Sequence, residues 1–298
     1  MRKPLKPVYF SVLAALALVG PALAQTIPGL REHNEIPAER TDAKKFTPYK
    51  IILVGDSTMA PQSGWASAFC AYHIKSSMAC LNLARGGRST RSYRAEGSWD
   101  VALDEMKVPG YRATYVLIQM GHNDISSKPE RWTDEVREYP DNLRRFVTEA
   151  RATGAIPILV TPLTLRDFRN GQLYNVLDSW SDQVRKVARE MSTPLIDLNA
   201  DSAALVQKLG PVAAMELAML PPSPEEKTAA ATGTTLPARP VEPYVEPTGQ
   251  PVVPGPHGHA NLSFDYTHLG PKGAEVFAAV VAHDLAIAVP EISGQILP

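Results

Sequence analysis

Cysteine is scarce in this chain, and its scarcity restricts both redox chemistry and metal binding. Only Cys70 and Cys80 occur among the 298 residues, and no cluster of cysteine and histidine with the spacing of metal ligands accompanies them. In an oxidising compartment the two thiols could pair and close a small loop between a helix and the next strand, and two buried free thiols are an equal alternative. The sequence therefore predicts no metal site here and leaves the pairing open.

An excess of positive charge is also missing. The chain has 30 Lys and Arg against 31 Asp and Glu. Residues 1–24 hold three of the basic residues and none of the acidic ones, so the remainder has 27 basic and 31 acidic residues, a net charge of −4. Without a basic surface, nucleic acid is not an expected partner.

Long apolar runs are absent as well, apart from one short stretch at the start of the chain. Val8–Val19 is apolar, follows a basic start and precedes the small-x-small sequence Ala22-Leu23-Ala24. This order is typical of a secretory signal peptide over residues 1–24, with cleavage after Ala24, and the stretch is too short for a membrane span. We therefore expect an exported protein, periplasmic or secreted, with no membrane insertion after cleavage.

From Tyr49 onward, apolar runs of strand length alternate with helical patterns. The predicted strands are Tyr49–Val54, Ala79–Leu83, Ala113–Met120, Ile156–Val160 and Leu195–Leu198. The predicted helices are Gly64–Lys75, Ser98–Met106, Tyr139–Thr153, Val176–Glu190 and Pro271–Ala288. This alternation predicts a five-stranded parallel sheet with helices on both faces, which is a three-layer α/β/α sandwich.

Two segments fall outside the alternation. Residues 25–48 have no clear period and are predicted to be a linker leading into one domain over residues 49–298. Residues 211–256 contain 11 of the chain's 27 prolines. Such a composition buries little apolar surface, so we expect a Pro-rich, irregular or partly disordered insertion at about 211–262, with a short helix at Val212–Leu220.

A serine follows the first predicted strand directly, in the sequence Gly55-Asp56-Ser57. Ligands of open α/β sheets gather just past the carboxyl ends of the strands, so Ser57 lies where a reactive group is expected. It acts as a nucleophile only if the rest of the chain supplies a base and an oxyanion site. The alternative is that it caps the following helix.

Near the carboxyl end, Asp265 and His268 have the spacing of an orienting carboxylate and a base. Residues three apart share a face of a helical turn, so the carboxylate can hold the imidazole while the other ring nitrogen points outward. The pair needs only a serine to complete a triad. Standing alone, an Asp-x-x-His sequence is more often structural.

Two further residues could donate hydrogen bonds to a developing oxyanion. Gly87 lies in a Gly-Gly turn, where the backbone N–H can approach a ligand without a Cβ in the way. Asn123 follows the third predicted strand and offers a side-chain amide. Each residue taken singly is better explained as a turn or cap residue, and it is the order of all the pieces that favours catalysis.

Together these pieces resemble the four sequence blocks of the SGNH (GDSL-type) hydrolases. The blocks are Gly55-Asp56-Ser57, Gly87, Asn123 within Gly121–Asp124, and Asp265-x-x-His268. The match is closest to the rhamnogalacturonan acetylesterase branch, because three longer stretches also agree with it: Gly55–Met59, Gly87–Tyr93 and Pro271–Glu275. The resemblance covers roughly residues 49–209 and 263–288.

The resemblance implies a role for each residue. Ser57 would be the nucleophile, His268 the general base and Asp265 its partner, with the N–H groups of Ser57 and Gly87 and the side chain of Asn123 as the oxyanion hole. The implied fold is flavodoxin-like and no cofactor is needed. The implied activity is that of an exported esterase that removes acetyl groups from cell-wall polysaccharide or oligosaccharide, most plausibly pectin or rhamnogalacturonan.

Four other residues attract attention near these blocks. Arg88 and Arg91 could pair with the carboxylates of uronic acids, because guanidinium suits planar acceptors, and a structural salt bridge is an equal alternative. His257 and His259 lack further ligands and are better explained as exposed loop residues than as a metal site.

Other functions remain open at this point. Another SGNH activity, such as a xylan deacetylase, lipase or thioesterase, would share the same blocks, although the polar, Arg-rich turns argue mildly against a lipase. A non-catalytic carbohydrate-binding relative would keep the fold and lose a block, and here every block is intact.

Overall fold

The computed structural model describes residues 45–237 and 264–297. These residues form seven strands: β1 (Tyr49–Gly55), β2 (Met78–Asn82), β3 (Thr114–Gln119), β4 (Ile156–Val160), β5 (Phe168–Arg169), β6 (Gln172–Leu173) and β7 (Leu195–Ile196). Five of them make one parallel sheet in the order β2-β1-β3-β4-β7, while β5 and β6 form a small antiparallel pair. The predicted five-stranded parallel sheet is confirmed.

Helices cover both faces of this sheet. They are α1 (Ala66–Tyr72), α2 (Thr90–Ala95), α3 (Ser98–Lys107), α4 (Glu138–Ala152), α5 (Asp178–Glu190), α6 (Leu198–Ala214), α7 (Pro224–Ala231) and α8 (Pro271–Ala288), with short 3-10 turns at Met215–Leu217 and Pro290–Gln295. Within the described ranges, no helix is long and apolar enough to cross a membrane.

Strand β1 shows why the core has two layers. Its side chains alternate between the two faces, so Ile51 and Leu53 join the cluster on one face and Ile52 and Val54 join the cluster on the other. All four are fully buried, as expected for a strand covered by helices on both sides. The predicted three-layer sandwich is therefore confirmed.

The order of the strands decides where a site can form. From β1 the chain moves to β2 on one side and later returns to β3 on the other. In an open parallel sheet, such a reversal leaves a crevice at the carboxyl ends of the strands, and ligands bind there. The order is that of the flavodoxin-like arrangement implied by the sequence resemblance.

Residues 211–237 are more regular than their Pro-rich composition suggests, and the short helix expected at Val212–Leu220 corresponds to the end of α6 and the 3-10 turn after it. This part continues α6 past a break at Gly210, adds the 3-10 turn and then forms α7. Pro224 begins α7 at a position where its missing N–H costs nothing, and Ser223 and Glu226 form a capping box.

Apolar residues lying between the prolines explain why this part packs. Met215, Ala218 and Ala230 of this part form a separate small core with Phe264 and Tyr266, which belong to the segment that leads to His268. Residues 238–263, with His257 and His259, lie outside the described residues, as do residues 1–44 with the predicted signal peptide and most of the predicted linker.

The two cysteines form a disulfide. Cys70 of α1 is bonded to Cys80 of β2, with 5.7 Å between their Cα atoms. Of the two alternatives left open by the sequence, the structure shows the pair. It joins a helix of one layer to an edge strand of the main sheet.

Candidate active site

Three residues from the two ends of the described chain meet at the carboxyl end of β1. Ser57 Oγ lies 2.9 Å from His268 Nε2, and His268 Nδ1 lies 2.7 Å from Asp265 Oδ2. Ser57 and His268 are 211 residues apart in sequence. The helix that follows Ser57 begins only at Ala66 and has no side-chain cap, so the alternative reading of Ser57 as a helix cap is not observed.

A buried polar network holds the turn that carries Ser57. Asp56 is fully buried and accepts hydrogen bonds from the backbone N–H and the hydroxyl of Thr58 at 2.9 and 2.8 Å. His122 Nδ1 lies 3.2 Å from Asp56, and its Nε2 donates to the carbonyl of Leu163 at 2.8 Å. Gln119 also donates to the Thr58 hydroxyl at 2.6 Å. The turn is therefore tied to the ends of β1, β3 and β4.

Burial and hydrogen bonding act in opposite directions on Asp56. Burial raises the pKa of its carboxyl, while the charge and hydrogen bond of His122 and the bonds from Thr58 lower it. The pKa lies below its ordinary value, because the lowering effects together are larger. Asp56 is thus a structural carboxylate that remains ionised beside the proposed nucleophile.

The carboxylate of Asp265 organises the segment that carries His268. Its Oδ1 accepts from the backbone N–H groups of Thr267 and His268 at 2.7 and 2.6 Å, while Oδ2 faces the imidazole. Burial raises the pKa of Asp265, but the hydrogen bonds and charge of His268 outweigh it and leave the pKa lowered. An ionised Asp265 accepts from Nδ1–H, so the lone pair of Nε2 faces Ser57.

Arg166 also holds this segment, through its backbone carbonyls, and the sequence analysis did not identify it. Its side chain is 1% exposed and donates to the carbonyls of Asp265, Thr267 and His268 at 3.1, 3.3 and 2.9 Å. The backbone N–H of Arg166 also donates to the carbonyl of Tyr266, at 2.9 Å. Burial lowers the pKa of the guanidinium to about 10, although the Asp265 carboxylate opposes this.

The Gly-Gly turn that carries Gly87 lies next to Ser57. A Cβ added to Gly86 would lie 3.6 Å from Ser57 Cβ, which places the Gly-Gly turn directly against the serine. Gly87 has φ +78°, a conformation that favours glycine. Within residues 45–237 and 264–297, the backbone N–H groups of Ser57 and Gly87 have no acceptor, so both can serve an incoming oxygen.

Asn123 completes this group of donors. Its Nδ2 donates to the carbonyl of Arg88 at 3.1 Å, which fixes the amide plane and leaves the second N–H of Nδ2 for another acceptor. Ser57, His268 and Asp265 are thus in contact, and Asn123 is hydrogen-bonded to the residue after Gly87, in the turn that lies against Ser57.

Asp124 joins the turns that follow β2 and β3. It is fully buried and accepts from the Thr90 hydroxyl at 2.6 Å, the Thr90 N–H at 3.1 Å and the Thr133 hydroxyl at 2.9 Å. No cation contacts it within the described ranges. Burial raises its pKa to about 7 in spite of these hydrogen bonds.

Arg88 and Arg91 each contact a glutamate of this chain. Arg88 Nε lies 2.9 Å from Glu96, and Arg91 forms a two-nitrogen contact with Glu138. Of the two interpretations offered for these arginines, the structure shows the ion pair within the chain. The glutamates lie 8 and 47 residues further along the chain, so no local spacing rule identified them.

The site opens to solvent. The side chain of His268 is 34% exposed and that of Asp265 is 22% exposed, while the carboxylates of Asp56 and Asp124 below them are fully buried. The base and its partner are therefore accessible from solvent, while the carboxylates that hold the turn are not.

Comparison with known proteins agrees with this geometry. Residues 53–217 match the GDSL-like lipase/acylhydrolase family. A probable rhamnogalacturonan acetylesterase of Bacillus subtilis is 33% identical over 167 residues, which are 54% of this chain and 75% of that protein. A rhamnogalacturonan acetylesterase of the same organism is 33% identical over 172 residues, which are 55% of this chain and 71% of that protein.

The fold has a counterpart among solved structures. The crystal structure of protein YXIM from Bacillus subtilis superposes with a TM-score of 0.56 and 24% identity. The match covers 81% of this chain and 57% of that one, so the present chain spans just over half of that structure's length. At this identity the likeness concerns the fold alone.

Proposed function

The chain belongs to the GDSL-like lipase/acylhydrolase family and is a carboxylic ester hydrolase, and on that premise we propose that it removes acetyl groups from a cell-wall polysaccharide outside the cytoplasm, with rhamnogalacturonan or another pectin as the substrate. The observation that carries the proposal is the continuous contact from Ser57 through His268 to Asp265, at 2.9 and 2.7 Å. A nucleophile, a base and an orienting group in this order are what acyl transfer requires.

The first half of the reaction forms an acetyl-enzyme. Ser57 Oγ attacks the acetyl carbonyl carbon while its proton moves to His268 Nε2, and Asp265 stabilises the imidazolium that results. The negative charge that develops on the carbonyl oxygen is held by the N–H groups of Ser57 and Gly87 and by Asn123. The bond to the sugar oxygen then breaks, and that oxygen takes the proton from His268.

The second half releases acetate. A water molecule gives a proton to His268 Nε2 and attacks the acetyl carbon, and the same donors hold the second oxyanion. Ser57 Oγ leaves and recovers the proton from His268. The cycle consumes one water and one ester and yields acetate and a free sugar hydroxyl, with no cofactor.

The choice of an acetylated polysaccharide rests on two supports. Two relatives that are 33% identical carry the name rhamnogalacturonan acetylesterase, one of them as a probable assignment. The partial exposure of His268 and Asp265 leaves the described part of the site accessible to a polymer chain. Export rests on the signal-like sequence of residues 1–24, and a mature protein beginning at Gln25 in the periplasm or medium would support it.

The role of Ser57 is tested by replacing it with alanine. We expect Ser57→Ala to lose at least about 10⁴-fold in kcat on p-nitrophenyl acetate and to stop reacting with a fluorophosphonate probe. Ser293→Ala is the matched control, because Ser293 lies in the C-terminal 3-10 turn and its hydroxyl contacts only Pro290 O among the described groups. Full activity or undiminished labelling of Ser57→Ala would disprove the nucleophile.

The substrate is tested by acetate release from acetylated rhamnogalacturonan, acetylated pectin and acetylated xylan at equal ester concentration. The proposal expects the highest kcat/KM on one of the two pectic substrates. A preference for xylan, or for long-chain acyl esters, would contradict the substrate while leaving the mechanism intact.

A further inference from the structure

Arg131 lies against two of the proposed oxyanion donors, although it belongs to none of the sequence blocks. A Cβ added to Gly87 would be 3.3 Å from its Nη2 and 3.4 Å from its Cζ, so the guanidinium covers the open face of that glycine. Its Nη1 lies 3.5 Å from Asn123 Oδ1. The charge of Arg131 therefore lies next to Gly87 and Asn123.

This arginine differs from its neighbours in how its donors are used. Three nearby arginines each hold a glutamate within hydrogen-bond distance: Arg88–Glu96, Arg91–Glu138 and Arg94–Glu149. Among the described residues, the carboxylate that lies within ion-pair distance of Arg131 is that of Glu130, at 3.9 Å, and the Glu130 side chain is 65% exposed. Across residues 45–237 and 264–297, Arg131 makes no shorter polar side-chain contact than the 3.5 Å to Asn123.

A guanidinium in this state is suited to one kind of ligand. Its parallel N–H groups bind a carboxylate in two-point fashion, and a partly exposed guanidinium is weakly hydrated and easily desolvated by such a ligand. The Arg131 side chain is 31% exposed, so a solute can reach it. Among sugar esters, only those with an acidic sugar present a carboxylate there.

We infer that Arg131 binds a carboxylate of the substrate, on the acetylated sugar or on the sugar next to it, and thereby selects uronic acid esters over neutral ones. This inference rests on the proposed function, because it takes Gly87 and Asn123 as the groups that hold the ester oxygen. The inference assigns recognition of the acidic sugar to Arg131. Arg88 and Arg91, to which the sequence analysis gave this role, are paired with glutamates.

A second role for Arg131 would be to orient the Asn123 amide. At 3.5 Å the contact is too long to be a strong hydrogen bond, and the amide is already fixed by its 3.1 Å bond to Arg88 O. The two roles have different signatures. Loss of a positioning contact lowers kcat on every ester, whereas loss of a substrate-binding charge raises KM on acidic esters alone.

The experiment compares Arg131→Gln with the wild type on three substrates: an acetylated galacturonate oligosaccharide, an acetylated xylooligosaccharide and p-nitrophenyl acetate. We expect KM on the acidic oligosaccharide to rise about tenfold, since one charge-assisted contact is lost, and kcat to stay within about twofold. Both neutral substrates should be unaffected. Arg131→Lys, which keeps the charge and loses the two-point geometry, should fall between the two enzymes on the acidic substrate.

Arg137→Gln is the matched control, because it removes the same charge six residues away. Arg137 is 83% exposed and pairs only with Asp134 among the described residues. It should match the wild type on all three substrates, and thermal unfolding should show that both variants fold. An equal fall in kcat on all substrates, or an unchanged KM on the acidic one, would overturn the inference. Failure of the proposed function looks different, because the wild type itself would then prefer the acetylated xylooligosaccharide to the acidic one, or release no acetate from any of the three.

Discussion

The nucleophile and the base of this site are held by different kinds of structure. Ser57 follows β1, whose residues are hydrogen-bonded in register to both β2 and β3. His268 lies in an irregular segment just before α8, outside the sheet. That segment is fixed by backbone contacts, such as Leu269 N–H to Ser63 O at 2.9 Å and Gly270 N–H to Leu217 O at 3.0 Å, and by the side chain of Arg166.

The difference separates what stabilises the protein from what aligns the site. The β1 side is part of the main core, so damage there should lower the stability of the whole domain. The His268 side lies outside the sheet and buries Phe264, Tyr266 and Leu269, while polar contacts to its backbone fix the position of the base. Damage there should move the base relative to Ser57 while the domain stays folded, and a misplacement of about 1 Å can cost about 100-fold in rate.

Arg166→Met gives the sharpest test of this comparison. The methionine fills part of the buried space and cannot donate to the carbonyls of Asp265, Thr267 and His268. We expect kcat on p-nitrophenyl acetate to fall about 10- to 100-fold with little change in KM. Steady-state kinetics beside thermal unfolding would measure both effects.

Arg185→Met is the control for removing an arginine. Arg185 binds Asp182 of α5 and Asp197, which follows the edge strand β7, and it contacts none of the site residues within the described ranges. It should lose stability and keep its kcat. If Arg166→Met kept full kcat, the segment would not depend on Arg166, and the contrast between the two sides would fail.

Removing the disulfide tests the other side. Replacing Cys70 and Cys80 by alanine opens a loop between residues that are 10 apart and should lower the free energy of unfolding by about 2–3 kcal/mol. The kcat should not change at temperatures where the variant is folded, because the bond lies at the edge strand and away from Ser57. Denaturant unfolding of the variant and of the wild type would measure the loss, and a large fall in kcat would show that the edge strand does align the site.

The smallest of the three expected effects is the pH dependence of stability that Asp124 causes. Its pKa of about 7 in the folded protein lies above the ordinary value of about 3.9 expected after unfolding. Between these values the folded state holds a proton that the unfolded state has lost, so this group's contribution to stability falls as the pH rises from about 4 to 7. The stability of the wild type relative to Asp124→Asn should therefore decline across that range and level off above it. A difference that is constant or grows with pH would contradict the raised pKa.

Local sequence signals were sufficient wherever a residue's role follows from its neighbours in the chain. The apolar runs identified all five strands of the main sheet, and the polar residues after them marked Ser57, Gly87 and Asn123. The prolines of residues 211–237 misled the prediction, because composition does not show that Met215 and Ala230 pack with Phe264. Arg131 and Arg166 carried no signal, since their partners lie in other turns or are backbone carbonyls about 100 residues away.

The sequence by itself determined the parallel sandwich and the positions of its reactive residues, because strand periodicity and strand-end turns are properties of short stretches. Only the tertiary structure decided which groups are in contact. Cys70 is bonded to Cys80, and Arg88 and Arg91 are paired with glutamates. His268 faces Ser57, and Arg166 holds the backbone carbonyl of His268. These outcomes depend on distances between groups that are far apart in sequence. Such distances are set only when the two layers of helices close on the sheet.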